Sequence, residues 1–440
     1  MPRSNILVVV VDGLRASALG AYGNTTYPTP ALDQFAADSF VFDWCYSPSA
    51  DLAGIYRALW QSSHPARPLE GISQKGDRTA RLSLPRRMAD GGYQITLVTD
   101  EPQLVSFADV ADFNECVQLA TPPEISPRSS RAANATQTEL ASMFSAAGEL
   151  VARRDSAPKL VWAHARGMYG PWDAPLALQG SLLDEGDPPA VESVVPPDFA
   201  VSAGDDPEEA YRYSCAFAAQ AMVFDECWHS LEEALATADS DNAWLVMLIG
   251  ARGYSLGEHG RVGGVDSRLY TEQLHVPWLI RYPDARGQLA RSGNLVSHLD
   301  VAPTLLEWID GGANLDNSCC DGLSTVPLAT TVASPWRDAL LSASTTGKYA
   351  LRTSAWSLLG DSRDMSAPND TDAAPEKSSP SPAELYVRPD DRWEANDIAK
   401  LCGEVVDDLQ EAASNAIGRL SRDEPVPSTL FHSETGAIPV

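Results

Sequence analysis

The run "NILVVVV" at residues 5 to 11, closed by Asp12-Gly13, constrains this chain more than any other stretch. An unbroken β-branched series without polar alternation marks a strand buried on both faces, and such strands belong to parallel sheets covered by helices. Strand-like runs follow at 93–99 ("YQITLVT"), 159–164 ("KLVWAH"), 244–250 ("WLVMLIG") and 276–282 ("VPWLIRY"). Helical patterns lie between them, notably over 138–154 and 208–236. This alternation predicts an α/β fold with a large, mostly parallel sheet between helices. Ligands gather at the carboxyl ends of such strands, which puts Asp12 at a functional position, although a lone aspartate there also suits a turn or cap.

The rest of the chain divides by pattern. Thr29 suits a helix N-cap and Pro30 the first helical position, ahead of an apolar stripe at Leu32, Phe35 and Ala36. Residues 176–207, rich in Pro, Gly, Asp and Ser, read as a surface excursion. Past residue 325 the pattern changes to short strands within 349–359 and 383–388 and a last helix over roughly 400–420. The expected division is an α/β domain over 1–325 and a small C-terminal α+β subdomain over 326–440. The latter contains a disorder-prone loop at about 360–382.

Composition narrows the partners. The 440 residues carry a formal net charge of −28, which argues against nucleic acid as a partner and is most simply read as solubility. The apolar run at the amino terminus is too short for a signal-peptide core or a span, and no later run is long enough, so no membrane partner is expected. Seven cysteines without framework spacing fit a reducing compartment, and the expected location is cytoplasmic.

Several ordered segments resemble the sulfatase family of the alkaline-phosphatase superfamily. "NILVVVVDGLRASALGAYGNTTYPTPALDQFAADSFVFDWCYSPS" is similar to its first strand, metal loop and first helix. "LGEHGRVGGVDSRLYTEQLHVPWLIRYP", "VSHLDVAPTLLEWIDG" and "DGLSTVPL" follow in the family's order, and "ELYVRPDDRWEANDIA" resembles its tail. The resemblance implies a sulfatase fold, a divalent cation (Ca2+ or Mg2+) on acidic side chains, a formylglycine nucleophile, and basic residues that hold the sulfate. Cation and basic groups would stabilise charge on the transferring group, and the formylglycine hydrate would attack it.

Carried over residue by residue, this machinery is missing. The modification motif C-x-P-x-R falls on Leu52, Ala53, Gly54, Ile55 and Tyr56, so neither the oxidisable residue nor the guanidinium is present. Cys45 is a decoy, followed by Ser47 and Ser49 where proline and arginine belong. Of the expected metal aspartates Asp12 remains, the second position is Gly13, and the late pair falls on Ala251 and Arg252. The basic positions fall near Asp100 and on Tyr169 and Gly264. One carboxylate does not hold a hard cation that takes about six or more oxygens.

The residues suggest replacements. Arg252 is expected to take the cation's place in a salt bridge with Asp12, with Asp100 as a candidate third member. Asp51 is expected to cap a helix beginning at Leu52. His64, His164 and His298 read as scaffold, while His259 is worth watching because its loop borders the former metal site. The leading expectation is a catalytically degenerate member without a cofactor. It would bind an anionic or glycan ligand, or stand as an inactive partner beside an active relative. The alternative is a metal-dependent sulfuric or phosphoric ester hydrolase with a rebuilt site. It would use Asp12, Asp51 and Asp100 for metal and Ser47, Ser49 or Tyr56 as nucleophile. A third reading is a structural or assembly protein, which predicts a filled pocket and a large apolar surface patch.

Overall fold

The computed structural model describes residues 4–68, 82–120, 131–155, 157–202, 204–238, 243–265, 267–311, 320–330, 336–362 and 382–431. In chain order the first strands are β1 (Asn5–Val11), β2 (Phe40–Tyr46), β3 (Gln94–Thr99), β4 (Glu115–Gln118) and β5 (Lys159–Ala165). Then come β6 (Asp198–Ala200), β7 (Trp244–Gly250), β8 (Arg261–Gly263), β9 (His275–Arg281) and β10 (Ala290–Ser297). Strands β6 and β8 form a small antiparallel ribbon. The other eight make one sheet in the order β10-β2-β9-β7-β1-β5-β3-β4. Only β9 within it runs antiparallel, against both β2 and β7.

All seven residues of β1 are buried, because both of its faces are covered. Leu7, Val9 and Val11 pack toward the helices Glu139–Ala152 and Pro207–Thr237. Ile6, Val8 and Val10 pack toward the helices Leu52–Gln61 and Val301–Asp310. Each such side chain contributes about 1.5–3 kcal/mol of apolar transfer, which makes β1 the anchor of the sheet. Its register pairs Val11 with Ala165 on one side and Gly250 on the other. The residues just past these strand ends, Asp12, Arg166 and Ala251, are thereby placed side by side.

Besides the short β4, β6 and β8 and the later strand Ala339–Ala343, the longer strands β2 and β10 were not read as strands from the sequence. Asp43 and Trp44 interrupt the apolar pattern of β2, and β10 reads "ARSGNLVS". Each strand tolerates its polar residues because the pairing shifts at Phe42/Cys45 and Ser292/Leu295, and because Arg291 pairs with Asp43 at 2.6 Å. The helix Pro30–Ala37 starts after Thr29, but the Thr29 side chain does not cap it. Asp225 accepts the Ala31 and Leu32 N–H groups instead, at 3.2 and 2.9 Å, while Thr29 Oγ1 accepts from Gly20.

The C-terminal part is an antiparallel sheet, β11 (Ala339–Ala343), β12 (Lys348–Thr353), β13 (Trp356–Asp361) and β14 (Glu384–Val387), in that order. The helix Gly403–Ser421 packs on it. "YALRTSAWSLL" spans two of these strands, bending at Ser354-Ala355. Residues 363–381 of the expected loop lie outside the described residues. This sheet meets the loop that follows β2, with Ser342 Oγ donating to the Ser47 carbonyl at 2.8 Å and Ala343 N to that of Pro48 at 2.9 Å. Among the described residues no helix is long and apolar enough to cross a membrane.

Candidate functional site

The site is assembled at the carboxyl ends of β1, β5 and β7. Asp12 is 1% exposed, and one of its oxygens accepts the Gly13 N–H at 3.0 Å. Gly13 turns the chain with φ +75°, and a Cβ there would sit 2.6 Å from the Met168 Cβ. An aspartate at that position would be strained and would require Met168 to shift. Arg252 reaches Asp12 from beyond β7, with Nε to Oδ1 and Nη2 to Oδ2 both at 2.9 Å. Its Nη1 donates to the Ala50 carbonyl at 2.7 Å. The guanidinium carbon lies 4.3 Å from the centroid of the Tyr169 ring, a cation–π contact that fixes the fork from one face. Burial opposes the arginine's charge, but Asp12 outweighs it and holds the Arg252 pKa above its usual value.

The loop after β2 delivers the helix Leu52–Gln61 to the same place. Asp51 Oδ1 accepts the Gly54 N–H at 2.8 Å, and its Oδ2 accepts from Ser49 Oγ at 2.5 Å. This carboxylate occupies the helix N-terminal field where an anion would otherwise be favoured. Leu52 is 4% exposed and packs with Ile55, Tyr56 and Trp162. The Tyr56 hydroxyl meets His164 Nδ1 at 2.7 Å, and both residues are buried. Burial above all, with Arg252 and Arg166 adding to it, lowers the His164 pKa to about 4, so the imidazole is neutral at pH 7.

The other flagged positions have separate partners. Asp100 does not join the Asp12–Arg252 fork, because its Oδ1 accepts the Arg166 backbone N–H at 2.7 Å. Burial raises its pKa to about 7 against that hydrogen bond. Tyr169 donates to the Gly253 and Gly264 carbonyls at 3.3 and 3.2 Å. Gly264 has φ +65°, and a Cβ on it would meet the Arg261–Asp198 ion pair within 2.6 Å, so a lysine there would displace that pair. Ser47 Oγ donates to the Ser49 carbonyl at 2.7 Å. His259 lies between Glu272 and the Glu394 carbonyl, at 2.8 and 3.0 Å, and stacks on Tyr270. His64 and His298 bond the Leu341 and Gly250 carbonyls.

Sequence reasoning missed a second constellation. Trp44, Tyr46, His275, Arg388 and Trp393 come together across the junction of the two sheets. They are scattered over the chain in no motif, so nothing in their spacing could have grouped them.

A mostly parallel sheet with its site at the strand ends defines an α/β protein of the class that gathers ligands there. The sulfatase family model matches residues 4–311, and the chain belongs to that family. Solved structures similar to it include BT4656 in complex with its substrate D-glucosamine-2-N,6-O-disulfate, at 16% identity and TM-score 0.71, covering 95% of this chain and 98% of that one. A phosphonate monoester hydrolase of Agrobacterium radiobacter aligns with 16% identity and TM-score 0.72, over 95% and 96% of the two chains. BT1596, a 2-O GAG sulfatase, aligns with 16% identity and TM-score 0.69, over 95% and 92%. No curated protein matches the sequence.

The cation and formylglycine that the family implies do not fit the residues present. Both Asp12 oxygens are engaged by a guanidinium, which repels a divalent ion at close range. Asp51 and Asp100 are each committed to backbone N–H groups. Among the described residues no group of three or more His, Cys, Asp or Glu stands close enough to hold a metal. Leu52 carries no group that oxidises to an aldehyde.

Proposed function

We propose that this sulfatase-family protein has given up ester hydrolysis and serves as a binding or regulatory protein, for an anionic or glycan ligand or beside an active relative. The Asp12–Arg252 fork carries this reading, because it consumes the one family carboxylate that remains and puts a fixed positive charge where the family places its cation. Space at Gly13 and Gly264 supports it further, since neither position accepts the family's side chain without rearrangement.

A rebuilt ester hydrolase is the second reading, and the hydrogen bond from Tyr56 to a neutral His164 favours it, having the form of a nucleophile beside its base. Against it, Tyr56 is 2% exposed and burial holds its pKa well above the usual value. The deciding measurement is hydrolysis of para-nitrophenyl sulfate and para-nitrophenyl phosphate with Ca2+, Mg2+ or Mn2+. The expected result is no release above buffer, unchanged in a Leu52→Cys, Tyr56→Arg double variant that still lacks the metal carboxylates. Turnover that disappears in Asp12→Ala would overturn the proposal.

A further inference from the structure

A cavity of about 210 Å³ lies between the carboxyl end of β2 and the turn after β14. Neither Asp12, Leu52, Tyr56, Tyr169 nor Arg252 lines it. Alternation along β2 sends Trp44 and Tyr46 to one face, and His275 of β9 inserts between them. The ring centroids are 5.4 and 5.0 Å from that of His275, with planes within 28° and 25° of parallel. Burial, with Arg388 and Arg352 nearby, lowers the His275 pKa to about 3, so this aromatic wall is uncharged at pH 7.

Arg388 crosses the wall, its guanidinium carbon 4.7 Å from the Trp44 ring centroid and 5.0 Å from that of Tyr46. It is 8% exposed and donates to the Thr353 carbonyl and the Tyr46 hydroxyl. Among the described residues no carboxylate pairs with it. The nearby acids are engaged elsewhere: Glu394 with Arg352, Glu272 with His259 and Asp43 with Arg291. Asp391 accepts the Ala395 and Asn396 N–H groups, and Arg15 is paired with Glu258. A buried guanidinium facing a cavity without its own counter-ion is electrostatically incomplete. Burial pushes the Arg388 pKa down, as expected of such a group. At the rim Trp393 is 42% exposed, with the Arg392 guanidinium carbon 4.6 Å from its ring centroid.

We propose that this cavity binds a small ring compound bearing an oxyanion, the anion held by Arg388 and the ring placed against Trp393. Its volume is below the roughly 300–1,000 Å³ of pockets for drug-sized ligands, which limits the occupant to about one ring. With a net charge of −28 on the chain, attraction for an anion has to be local, and Arg388 and Arg392 supply it. The inference gives the binding role proposed above a place. The two fail separately, since turnover of an aryl ester removes that role without deciding what the cavity binds.

The test is titration of the full chain, followed by tryptophan fluorescence and saturation-transfer NMR, with phenyl sulfate and glucuronate against phenol and glucose. The expected result is saturable binding of at least one anion and none of its neutral counterpart. Arg388→Gln should weaken it roughly tenfold or more, the worth of a hydrogen bond to a charge. Trp393→Ala should weaken it about two- to fivefold, and its exposure keeps that variant folded if Arg388→Gln does not fold. Binding of phenyl sulfate alone identifies an aromatic ligand, and of glucuronate alone a sugar acid. No saturable binding of either anion, equal binding of the neutral compounds, or unchanged affinity in both variants overturns the proposal. Affinity lost in Arg252→Lys but not in Arg388→Gln also overturns it, by placing the anion at the strand ends.

Discussion

Arg252 and Asp12 stand 240 positions apart in the chain and 2.9 Å apart in space. Among the described residues, truncating the arginine leaves a carboxylate that is 1% exposed with the Gly13 N–H as its remaining hydrogen-bond donor. Arg252→Ala is therefore expected to lower the unfolding free energy by about 3–5 kcal/mol, measured by urea denaturation. Adding Asp12→Ala should return a large part of that loss, because the buried charge goes with it; no recovery in the double variant would show that the fork is not the source. The resemblance proposes Leu52, Ala251 and Arg252 as the replaced positions, an assignment that motif spacing offers without any coordinates. The reach of the guanidinium was not readable in the same way, because it depends on the Tyr169 ring beneath it and the Ala50 carbonyl beyond it. Asp100 shows the limit of such reasoning: a backbone N–H one strand away took the carboxylate first.

The helix Leu52–Gln61 shows how one acidic side chain organises an element. Asp51 satisfies the Gly54 N–H and also receives the Ser49 hydroxyl, so its loss frees two donors. Asp51→Ala should cost about 0.5–2 kcal/mol in urea denaturation, toward the upper end, and Asp51→Asn distinctly less. Equal losses in the two variants would mean that the contribution is not a cap. Among strands, β1, β5 and β7 were legible as unbroken apolar runs because the sheet buries both their faces. Strands β2 and β10 were not, since cross-strand ion pairing and shifted pairing carry polar residues that a pattern reads as loop. Thr29 marked a helix start correctly, yet Asp225 from a distant helix supplies the cap.

At the scale of the molecule, His259 ties the main sheet's loops to the C-terminal part through Glu272 and the Glu394 carbonyl. Donation from both ring nitrogens requires the imidazolium. Burial disfavours that charge, but the Glu272 hydrogen bond and charge prevail and raise the pKa to about 9. A histidine with a raised folded-state pKa contributes stability that is complete below about pH 6.5 and is lost as pH rises through about 9. Unfolding free energy should therefore fall between these values, and His259→Gln should flatten that part of the profile; an unchanged slope would refute the link. Sequence alone determined the α/β core and the residues at its strand ends, because burial periodicity is a property of short stretches. Tertiary structure alone decided which of those residues touch, and it gathered Trp44, His275, Arg388 and Trp393 around one cavity. Such contacts depend on sheet order and loop path, which act over hundreds of positions and leave no local pattern.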